Sequence, residues 1–433
     1  MSVPRFVPHN QPRQVPQDRH HMSWEAKRMG GRVIVVGSVN IDLVARVPHL
    51  PHPGETVTGG SYERHHGGKG GNQAVAAARL RRPTLFIGAA GDDPFEAEAR
   101  RALSSERVDV SMLASLPGHA TGIALILVDD TGENEIAVVP GANGAIETGY
   151  VRDCLARLGP LVGDVMLVCN EVPLHVVREA LMCGHAAGAT TILNPAPAIG
   201  IDRSIFGLAD IITPNRNELA TLLQTEAGRT GRRVDVSVET SVRARTLLEP
   251  GPGGPGVRKA VIVTLGAAGV VVLERVGSGF AASAARQELV DVALAAAAAA
   301  VNEPRPQEPQ ATAAAKGSAV PGGAVPGGAV SGGAAAAPAP APVASAVDGA
   351  PADAVRVGDH RMWQVPADEV ATIDSTGAGD AFCGALAAAL AEGRPLAEAV
   401  KRAVAGSALA TTHVGAREGM PTLAELDEFL AAR

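Results

Sequence analysis

The sequence predicts an α/β fold in which helices cover both faces of a parallel-rich central sheet, with a small separate β-sheet as a lid. Short apolar runs rich in β-branched residues recur along the chain, as buried parallel strands do. Helical patterns fall between most of these runs, an alternation typical of a sheet with helices on both faces. Two further segments have the alternation of hairpin strands and do not belong to that series.

The central strands can be placed in order along the chain. The first is "RVIVVGSV" at 32–39, and later runs begin at Thr84, Val165, Thr190, Asp210 and Lys259. Ligands of such sheets bind at the carboxyl ends of the strands. Polar residues and a glycine follow the runs at these ends: Asn40, Asp42, Gly91, Asp92, Glu171, Asn194, Asn215 and Thr264. We therefore expect a ligand site along this edge.

The lid is predicted from about residues 43–66 and 119–140. The first piece contains "GETVTGGSYERHH" and the second "TGIALILVDDTGENEIAVVPGAN". In the second, "DDTGEN" forms a turn between two alternating strands. Paired together, the pieces predict a small sheet over the main site.

Two segments are predicted to be disordered, which leaves one domain over 32–433. Residues 1–31 form a polar N-terminal extension without the apolar stretch of a secretory signal. An insertion at about 280–358 is dominated by Ala, Gly and Pro, so it cannot bury enough apolar surface to offset the backbone entropy lost on folding. Structure is expected to resume at "VRVGDHRMWQV", as the return strand of a hairpin that starts in 269–276.

Composition excludes several classes of protein. The net charge is −7 and no Lys/Arg run stands out, so we expect no nucleic-acid partner. No apolar run approaches the roughly 20 residues of a membrane span without being alanine-only or interrupted by glycine or charge. The four scattered cysteines form no CxxC pair and indicate buried thiols in a reducing compartment. The expected location is the cytoplasm.

A glycine-rich segment, "HHGGKGGNQAVAAARL" at 65–80, precedes an alanine-rich helix. It fits neither a Walker A loop, because Gly70 follows the lysine, nor a dinucleotide fingerprint, because it does not follow the first strand. Consecutive glycines let backbone N–H groups approach a small polar molecule, while Lys69 adds a cation and Asn72 a donor and an acceptor. These groups suit a polyol as well as a phosphate. A flexible loop entering a helix remains the alternative.

A second glycine-rich segment, "DSTGAGDAFCGALAAAL", begins at Asp374. Gly377, Ala378 and Gly379 lead into a helix, and free N–H groups at a helix N-terminus bind anions. Asp380 in the first turn would place a carboxylate beside that anion, where it can take a proton from a hydroxyl during phosphoryl transfer. The alternative is an aspartate that only stabilises the helix, by about 0.3–1 kcal/mol.

The two glycine-rich segments belong to a longer series of motifs: "GSVNID", "PGETVTGG", "GDD", "PGAN", "NPAPA", "ITPNRNE" and "VTLGAAG". In their order and context the chain resembles the ribokinase-type carbohydrate kinases. The resemblance runs from Arg32 onward, apart from the insertion. The resemblance implies the family's three-layer sandwich and a lid that often builds a homodimer interface. Within the family, the match is nearest to members that phosphorylate D-ribose at O5 with ATP, giving ribose 5-phosphate and ADP.

The resemblance also implies roles for individual residues. Asp380 would be the general base and Gly377, Ala378 and Gly379 its anion hole. The sugar would be held by Asn40, Asp42, Gly68, Lys69, Gly70, Gly71, Asn72, Glu171 and Asp380. ATP would lie along Asn215, Thr264, Leu265, Gly266, Ala267, Ala268 and Gly269, with Gly379 and Asp380 at its phosphates and Val404 at the adenine.

Two metal ions follow from the resemblance as well. Mg²⁺ would be organised by Asn215 and Glu218, partly through water, since Mg²⁺ keeps several waters. An activating K⁺ would lie among Asp374, Thr376, Ala410, His413, Gly415 and Gly419. Three positions depart from the family pattern: Gly419 replaces a serine, Val404 an asparagine or histidine, and Gly71 an alanine.

Other activities stay open at this stage. The same chemistry on another pentose, sugar or nucleoside is one alternative, although Asn40, Asp42 and Glu171 suit a vicinal diol and disfavour deoxyribose. A sugar-binding regulator without catalysis is another. It would require damage at Asp380, the anion hole or the nucleotide loop, and the sequence contains none.

Overall fold

The computed structural model describes residues 30–223, 236–251, 254–276, 351 and 354–433. The predicted N-terminal extension, apart from its last two residues, and nearly all of the predicted insertion lie outside these ranges. The disorder predicted for both therefore stays a prediction.

The described strands of the main sheet follow the order β13-β14-β12-β11-β10-β9-β8-β1-β4-β5. The seven neighbouring strands β11, β10, β9, β8, β1, β4 and β5 pair in parallel. Strands β12, β14 and β13 add an antiparallel edge beside β11. The bounds are β1 Val33–Val36, β4 Thr84–Gly91, β5 Val108–Leu116, β8 Val165–Cys169, β9 Thr190–Asn194, β10 Ile211–Ile212, β11 Ala260–Thr264, β12 Val270–Arg275, β13 Val355–Val357 and β14 His360–Val365.

Helices pack on both faces of this sheet, and each face has its own apolar core. One face carries α1, α7, α8 and α9 and the other carries α3, α4 and α6. The bounds are α1 Lys69–Arg79, α2 Pro94–Ser105, α3 Thr148–Leu158, α4 Leu174–Ala186, α5 Arg216–Leu222, α6 Val236–Leu248, α7 Ala378–Ala391, α8 Leu396–Ala410 and α9 Leu423–Ala431. The predicted three-layer α/β fold is confirmed. Among the described helices, none is both long enough and apolar enough to cross a bilayer.

A separate four-stranded sheet, called the lid sheet below, has the order β3-β2-β6-β7. Its strands are β2 Asn40–Arg46, β3 Tyr62–Gly67, β6 Gly122–Val128 and β7 Asn134–Val139. Most of β3 lies in the first segment that the alternation pattern identified, and β6 and β7 lie in the second, whereas β2 lies ahead of the first. Strand β2 already begins at Asn40, so the polar residues after β1 open a strand of the lid sheet and do not form a loop.

The chain after the insertion returns to the edge of the main sheet. Residues 360–365 pair antiparallel with 270–275, as the hairpin prediction requires. The prediction of a single return strand was wrong, because 355–357 turn back on 360–362 as a further edge strand. Gly358, at a φ of 66°, makes this tight turn.

Candidate active site

A pocket of about 230 Å³ opens where several parallel strands end and the helices α1, α5 and α7 begin. Its lining contains three of the predicted strand-end residues, Asn194, Asn215 and Thr264. The lining residues are Lys69, Asn194, Ala196, Thr213, Asn215, Glu218, Thr264, Ser375, Gly377, Gly379, Asp380 and Cys383. Residues that are far apart in the sequence thus meet around one cavity.

Asp380 is the buried carboxylate of this pocket, with 7% of its surface exposed. It lies in the first turn of α7, which Gly377 precedes as N-cap. Both carboxylate oxygens accept hydrogen bonds from α1: Oδ1 from Gln73 Nε2 at 3.0 Å and Oδ2 from Asn72 Nδ2 at 3.1 Å. The two amides fix the plane of the carboxylate and leave one edge of each oxygen for a further donor.

Charge and burial act on Asp380 in opposite directions. Burial raises the pKa of this carboxyl, while the Lys69 ammonium and the hydrogen bonds from Asn72 and Gln73 lower it. In return, the negative charge of Asp380 raises the pKa of Lys69 above its usual value. Lys69 and Asp380 line the same pocket and each favours the charged form of the other, and a raised carboxyl pKa makes Asp380 a better proton acceptor when ionised.

The N-terminus of α7 offers N–H groups to the pocket. Among the described residues, the Gly379 and Asp380 amides have no acceptor, whereas the Ala378 amide donates to the Ser375 carbonyl at 3.2 Å. Gly377 has a φ of 76°, and a Cβ there would lie 2.6 Å from the Ala416 carbonyl oxygen. The Gly379 amide of the predicted anion hole and the adjacent Asp380 amide are therefore available, and a glycine is required before them.

The first glycine segment is not a loop, contrary to the sequence-based expectation. Helix α1 begins at Lys69, so Gly70, Gly71 and Asn72 lie in its first turn, and Gly68 is the N-cap at a φ of 83°. A Cβ on Gly70 would come within 2.7 Å of the Ser38 amide nitrogen. Glycines are used here because the backbone after β1 passes directly against the helix.

Glu171 anchors the start of α1. Its Oε2 accepts from the Lys69 amide at 2.9 Å and from Ser38 Oγ at 2.5 Å. A carboxylate at this position satisfies a free N–H of the helix terminus and is favoured by the helix dipole. Glu171 therefore has a structural role, alongside any contact with a ligand.

Asn40 and Asp42 lie on β2 of the lid sheet and are not among the residues that line the pocket. Asn40 Oδ1 accepts from Asn143 Nδ2 at 2.8 Å. The Asp42 carboxylate lies against the backbone of Gly67 so closely that no Cβ fits there. Burial raises the pKa of Asp42 to about 6; the Glu171 and Asp380 charges add to this effect, and Arg417 and His65 oppose it.

The predicted nucleotide residues Asn215 and Thr264 line the pocket. Asn215 and Glu218 form a capping box at α5: Glu218 N donates to Asn215 Oδ1 at 2.9 Å, and Glu218 Oε2 accepts from Asn215 N at 2.8 Å. The N-x-x-E spacing thus has a local structural cause. Residues Thr264 to Gly269 end β11 and turn tightly into β12. Val404 is 5% exposed and packs in the core, so its contact with adenine stays a prediction.

The predicted cation residues converge on one loop junction. Asp374 Oδ1 accepts from the Thr376 amide and hydroxyl at 2.9 and 2.7 Å, and Oδ2 accepts from the Gly415 amide at 2.8 Å. Partial burial raises the pKa of Asp374, but these hydrogen bonds lower it overall. Gly419 lies against the Ala410 carbonyl. The His413 side chain is exposed, and the resemblance assigns only the backbone carbonyl of this residue to the cation.

Several site residues were missed by sequence reasoning. Gln73 bonds Asp380 directly, and its position beside Asn72 in the first helical turn was the available signal. Asn143 ties Asn40 to the backbone of Val39, and its signal was the "PGAN" motif. Arg417 is buried beside Asn72 and has no motif around it.

Known proteins resemble this chain over most of its length. The pfkB family of carbohydrate kinases matches residues 31–296 and 347–423. The chain is 36% identical over 270 residues to the ribokinase of Schizosaccharomyces pombe, covering 61% of this chain and 81% of that one. It is 35% identical over 238 residues to the ribokinase of Haemophilus influenzae, covering 55% and 73%.

A solved structure has the same fold over most of the chain. The ribokinase of Thermotoga maritima superposes with a TM-score of 0.64 and 26% identity, covering 93% of this chain and 99% of that one. The buried aspartate at a glycine-capped helix, the facing amides and the lid sheet therefore occur in a chain that matches one family over most of its length. The protein belongs to the pfkB family of carbohydrate kinases.

Proposed function

We propose that this protein catalyses the ATP-dependent phosphorylation of D-ribose at O5, which gives D-ribose 5-phosphate and ADP. The observation that carries the proposal is the buried Asp380 carboxylate, placed at a helix N-terminus in a pocket shared with Lys69 and the strand-end residues Asn215 and Thr264. The ribokinases of fission yeast and H. influenzae, at 36% and 35% identity, favour ribose as the sugar.

In the proposed reaction, Asp380 accepts the proton of the sugar's 5-hydroxyl as that oxygen attacks the γ-phosphoryl group. Asn72 and Gln73 hold the carboxylate in one plane so that the hydroxyl meets the same oxygen in every turnover. The Gly379 and Asp380 amides and the Lys69 ammonium stabilise the negative charge on the transferred group. The other product, ADP, leaves on the Asn215–Thr264 side.

The sugar is assigned to the side of the site that carries the lid sheet, and the nucleotide to the side where α5 begins. Asn40 and Asp42 on the lid sheet and the first turn of α1 suit a polyol, since a carboxylate accepts two hydroxyls at once. The turn 264–269 suits the nucleotide. Glu218 is a half-buried carboxylate whose pKa burial raises, so a divalent cation facing the pocket would stabilise its charge. Mg²⁺ bound with ATP would neutralise phosphate charge there, and Glu218 with Asn215 would hold its water shell.

The test is ADP release with ATP and Mg²⁺ on ribose, 2-deoxyribose, adenosine and fructose, each with K⁺ or Na⁺. Strong turnover on ribose alone supports the proposal. Turnover on a different sugar keeps the chemistry and overturns the assignment of the sugar pocket. Ribose binding without turnover of any sugar would indicate the second candidate, a non-catalytic sugar-binding protein.

We expect ribose affinity to weaken in mildly acidic solution. The pKa of Asp42 is about 6, so about a tenth of the carboxyl is ionised at pH 5 and most of it at pH 7. If the ionised form accepts the sugar hydroxyls, the dissociation constant for ribose at pH 5 is about ten times that at pH 7. Calorimetric titration over pH 5–8 measures this. Asp42→Asn should bind weakly at every pH, and an unchanged slope in that variant would contradict the assignment.

A monovalent cation, K⁺ in the first instance, is proposed at the junction of Asp374 with the backbone of 410–415, where it would order the loop before α7. Gly419→Ser, which introduces the side chain common in the family, is expected to destabilise this protein and not to raise K⁺ activation. The reason is that Cβ would clash with the Ala410 carbonyl, which is backbone and cannot move freely. Thermal melts and ADP release with K⁺ or Na⁺ check this. A stable variant with greater K⁺ activation would show that the loop relaxes.

Homodimerisation through the lid sheet is also proposed. Its edge strand β7 exposes two apolar side chains on one face, Ile136 at 57% and Val138 at 53%, opposite Ile126 and Ala124 of β6. Exposed apolar side chains on one sheet face indicate a surface that binds another protein. A second copy of this chain carries the same face, so the two can pack against each other. Light scattering after gel filtration should give twice the chain mass. Ile136→Glu with Val138→Glu should give the monomer, whereas a wild-type monomer would contradict the proposal.

A further inference from the structure

Arg417 is a buried cation that the proposed reaction has not yet used. Its surface is 6% exposed, and it lies in the segment between α8 and α9. Nε donates to Asn72 Oδ1 at 2.9 Å and Nη2 donates to the Gly67 carbonyl at 2.8 Å. Nη1 has no hydrogen-bond partner within the described ranges. Burial lowers the pKa of Arg417 to about 10, so the side chain remains charged at neutral pH.

The contact with Asn72 determines which way its amide points. A guanidinium only donates hydrogen bonds and an ionised carboxylate only accepts them. Asn72 lies between the two, so its oxygen must face Arg417 and its NH₂ must face Asp380. The carboxylate and the guanidinium select the same orientation, and without Arg417 only Asp380 would hold the amide in it. The guanidinium therefore fixes Asn72 as a hydrogen-bond donor to Asp380.

The segment that carries Arg417 also contacts the other parts of the site. The Gly415 amide binds Asp374, and the Ala416 carbonyl packs against Gly377 at the start of α7. Arg79 holds the same segment from behind, because its Nη1 donates to the carbonyls of Arg417 and Met420 at 2.6 and 2.7 Å. Three consecutive residues, 415–417, thus connect the proposed cation junction, the anion-hole glycine and the amide that orients Asp380.

Position 71 is matched to this arginine. A Cβ on Gly71 would overlap Arg417 Nη2. The sequence has glycine there although alanine would stabilise the first turn of a helix by up to about 1 kcal/mol. The space left by Gly71 is filled by the guanidinium, which gives a physical reason for a residue that departs from the family pattern.

We propose that Arg417 is a positioning residue for the sugar-phosphorylation reaction, acting on Asp380 through Asn72 and on Asp42 through its charge. The inference rests on the proposed function, since it assigns Asp380 and Asp42 their roles there. Asp42 and Arg417 meet at Gly67, whose backbone lies against the Asp42 carboxylate and whose carbonyl accepts from Arg417 Nη2 at 2.8 Å. Around Asp42, Arg417 and His65 are the cations and Glu171 and Asp380 the anions. Arg417 is therefore a main source of positive charge that keeps Asp42 ionised near neutral pH.

The two effects can be separated by two substitutions. Arg417→Met removes the donor and the charge: kcat is expected to fall by up to about 100-fold, and the pH midpoint of ribose affinity to rise by about one unit or more. Arg417→Lys keeps the charge but loses the planar guanidinium that donates to Asn72 and Gly67 at once. The pH midpoint of ribose affinity should therefore stay near that of the wild type, while kcat should be as low as in Arg417→Met. Ribose calorimetry and initial rates over pH 5–9 measure both.

Gly71→Ala supplies a second test. Alone it should displace the guanidinium and lower kcat, because Cβ takes its place. Combined with Arg417→Met it should lower kcat no further, since the space is then empty; additive losses would overturn the pairing. Arg402→Met is the matched control: Arg402 is also buried and pairs with Asp427 at 2.7 Å, away from the pocket.

The outcomes distinguish this inference from the proposed function. If Arg417→Met lowers only the melting temperature, as Arg402→Met should, and leaves kcat and the pH midpoint unchanged, Arg417 is structural and the inference fails. If the wild type turns over another sugar and not ribose, the proposed substrate fails, and the same comparison with that sugar still decides the role of Arg417.

Discussion

Replacing Asp380 with alanine is expected to lower kcat by about 10²- to 10⁴-fold, the usual contribution of a positioned general base. The carboxylate lies in the pocket and accepts from two amides, whereas the other carboxylate of the lining, Glu218, is bonded to Asn215 on the nucleotide side. Initial rates of ADP release at saturating ribose and ATP measure the loss.

Ribose binding should survive this substitution, because Asn40 and Asp42 lie on the lid sheet and are not held by Asp380. Calorimetry on Asp380→Ala is therefore the control, and loss of binding together with turnover would point to a collapsed pocket. Asp380→Asn is the isosteric companion: it keeps the shape of the side chain but places a donor against Asn72 or Gln73. Turnover within a few-fold of the wild type in either variant would remove Asp380 from its assigned role.

The main sheet was predictable from the sequence because its strands are buried on both faces. Such strands are continuous apolar runs, as in Val33–Val36 and Val165–Cys169, and their spacing leaves room for one helix each. The helix that starts with Asp380 in its first turn was also predictable, since Gly377 and Gly379 and the apolar repeat that follows are local signals.

The start of α1 was not predictable from local rules. Glycine is a poor helix former, so a segment with Gly67, Gly68, Gly70 and Gly71 indicates a loop. The helix begins within it because Glu171, about a hundred residues away, caps the Lys69 amide, and because Gly70 and Gly71 lie where the backbone of Ser38 and the Arg417 guanidinium pass close by. Tertiary contacts outweigh propensity here.

Arg417 illustrates a different limit. Its contact with Asn72 spans 345 residues of sequence, and no motif surrounds it. From sequence alone, a single arginine in a loop is expected to be exposed to solvent. Only the fold shows that Arg417 lies in the interior. The residue that was visible in sequence was its counterpart, Gly71, which appeared as a small departure without a cause.

Gly377→Ala is expected to lower kcat by about 100-fold and to destabilise the protein by about 1–3 kcal/mol. Two effects act on this one position. The φ of 76° is unfavourable for alanine, and the added Cβ would lie 2.6 Å from the Ala416 carbonyl oxygen. The start of α7 must then shift, and with it the Gly379 and Asp380 amides and the Asp380 carboxylate. Because the same contact holds segment 415–417, the loss should include weaker K⁺ dependence.

Gly393→Ala separates these effects. Gly393 follows the other end of α7 at a φ of 83°, and a Cβ there meets nothing within 4 Å. Gly393→Ala should therefore lower the free energy of unfolding only by the cost of a positive φ at alanine, about 1–2 kcal/mol, and leave kcat unchanged. Thermal melts and initial rates on both variants measure the difference. If Gly377→Ala loses stability as Gly393→Ala does but keeps its turnover, the exact placement of the α7 N-terminus does not limit phosphoryl transfer, and the role assigned to its amides fails with it.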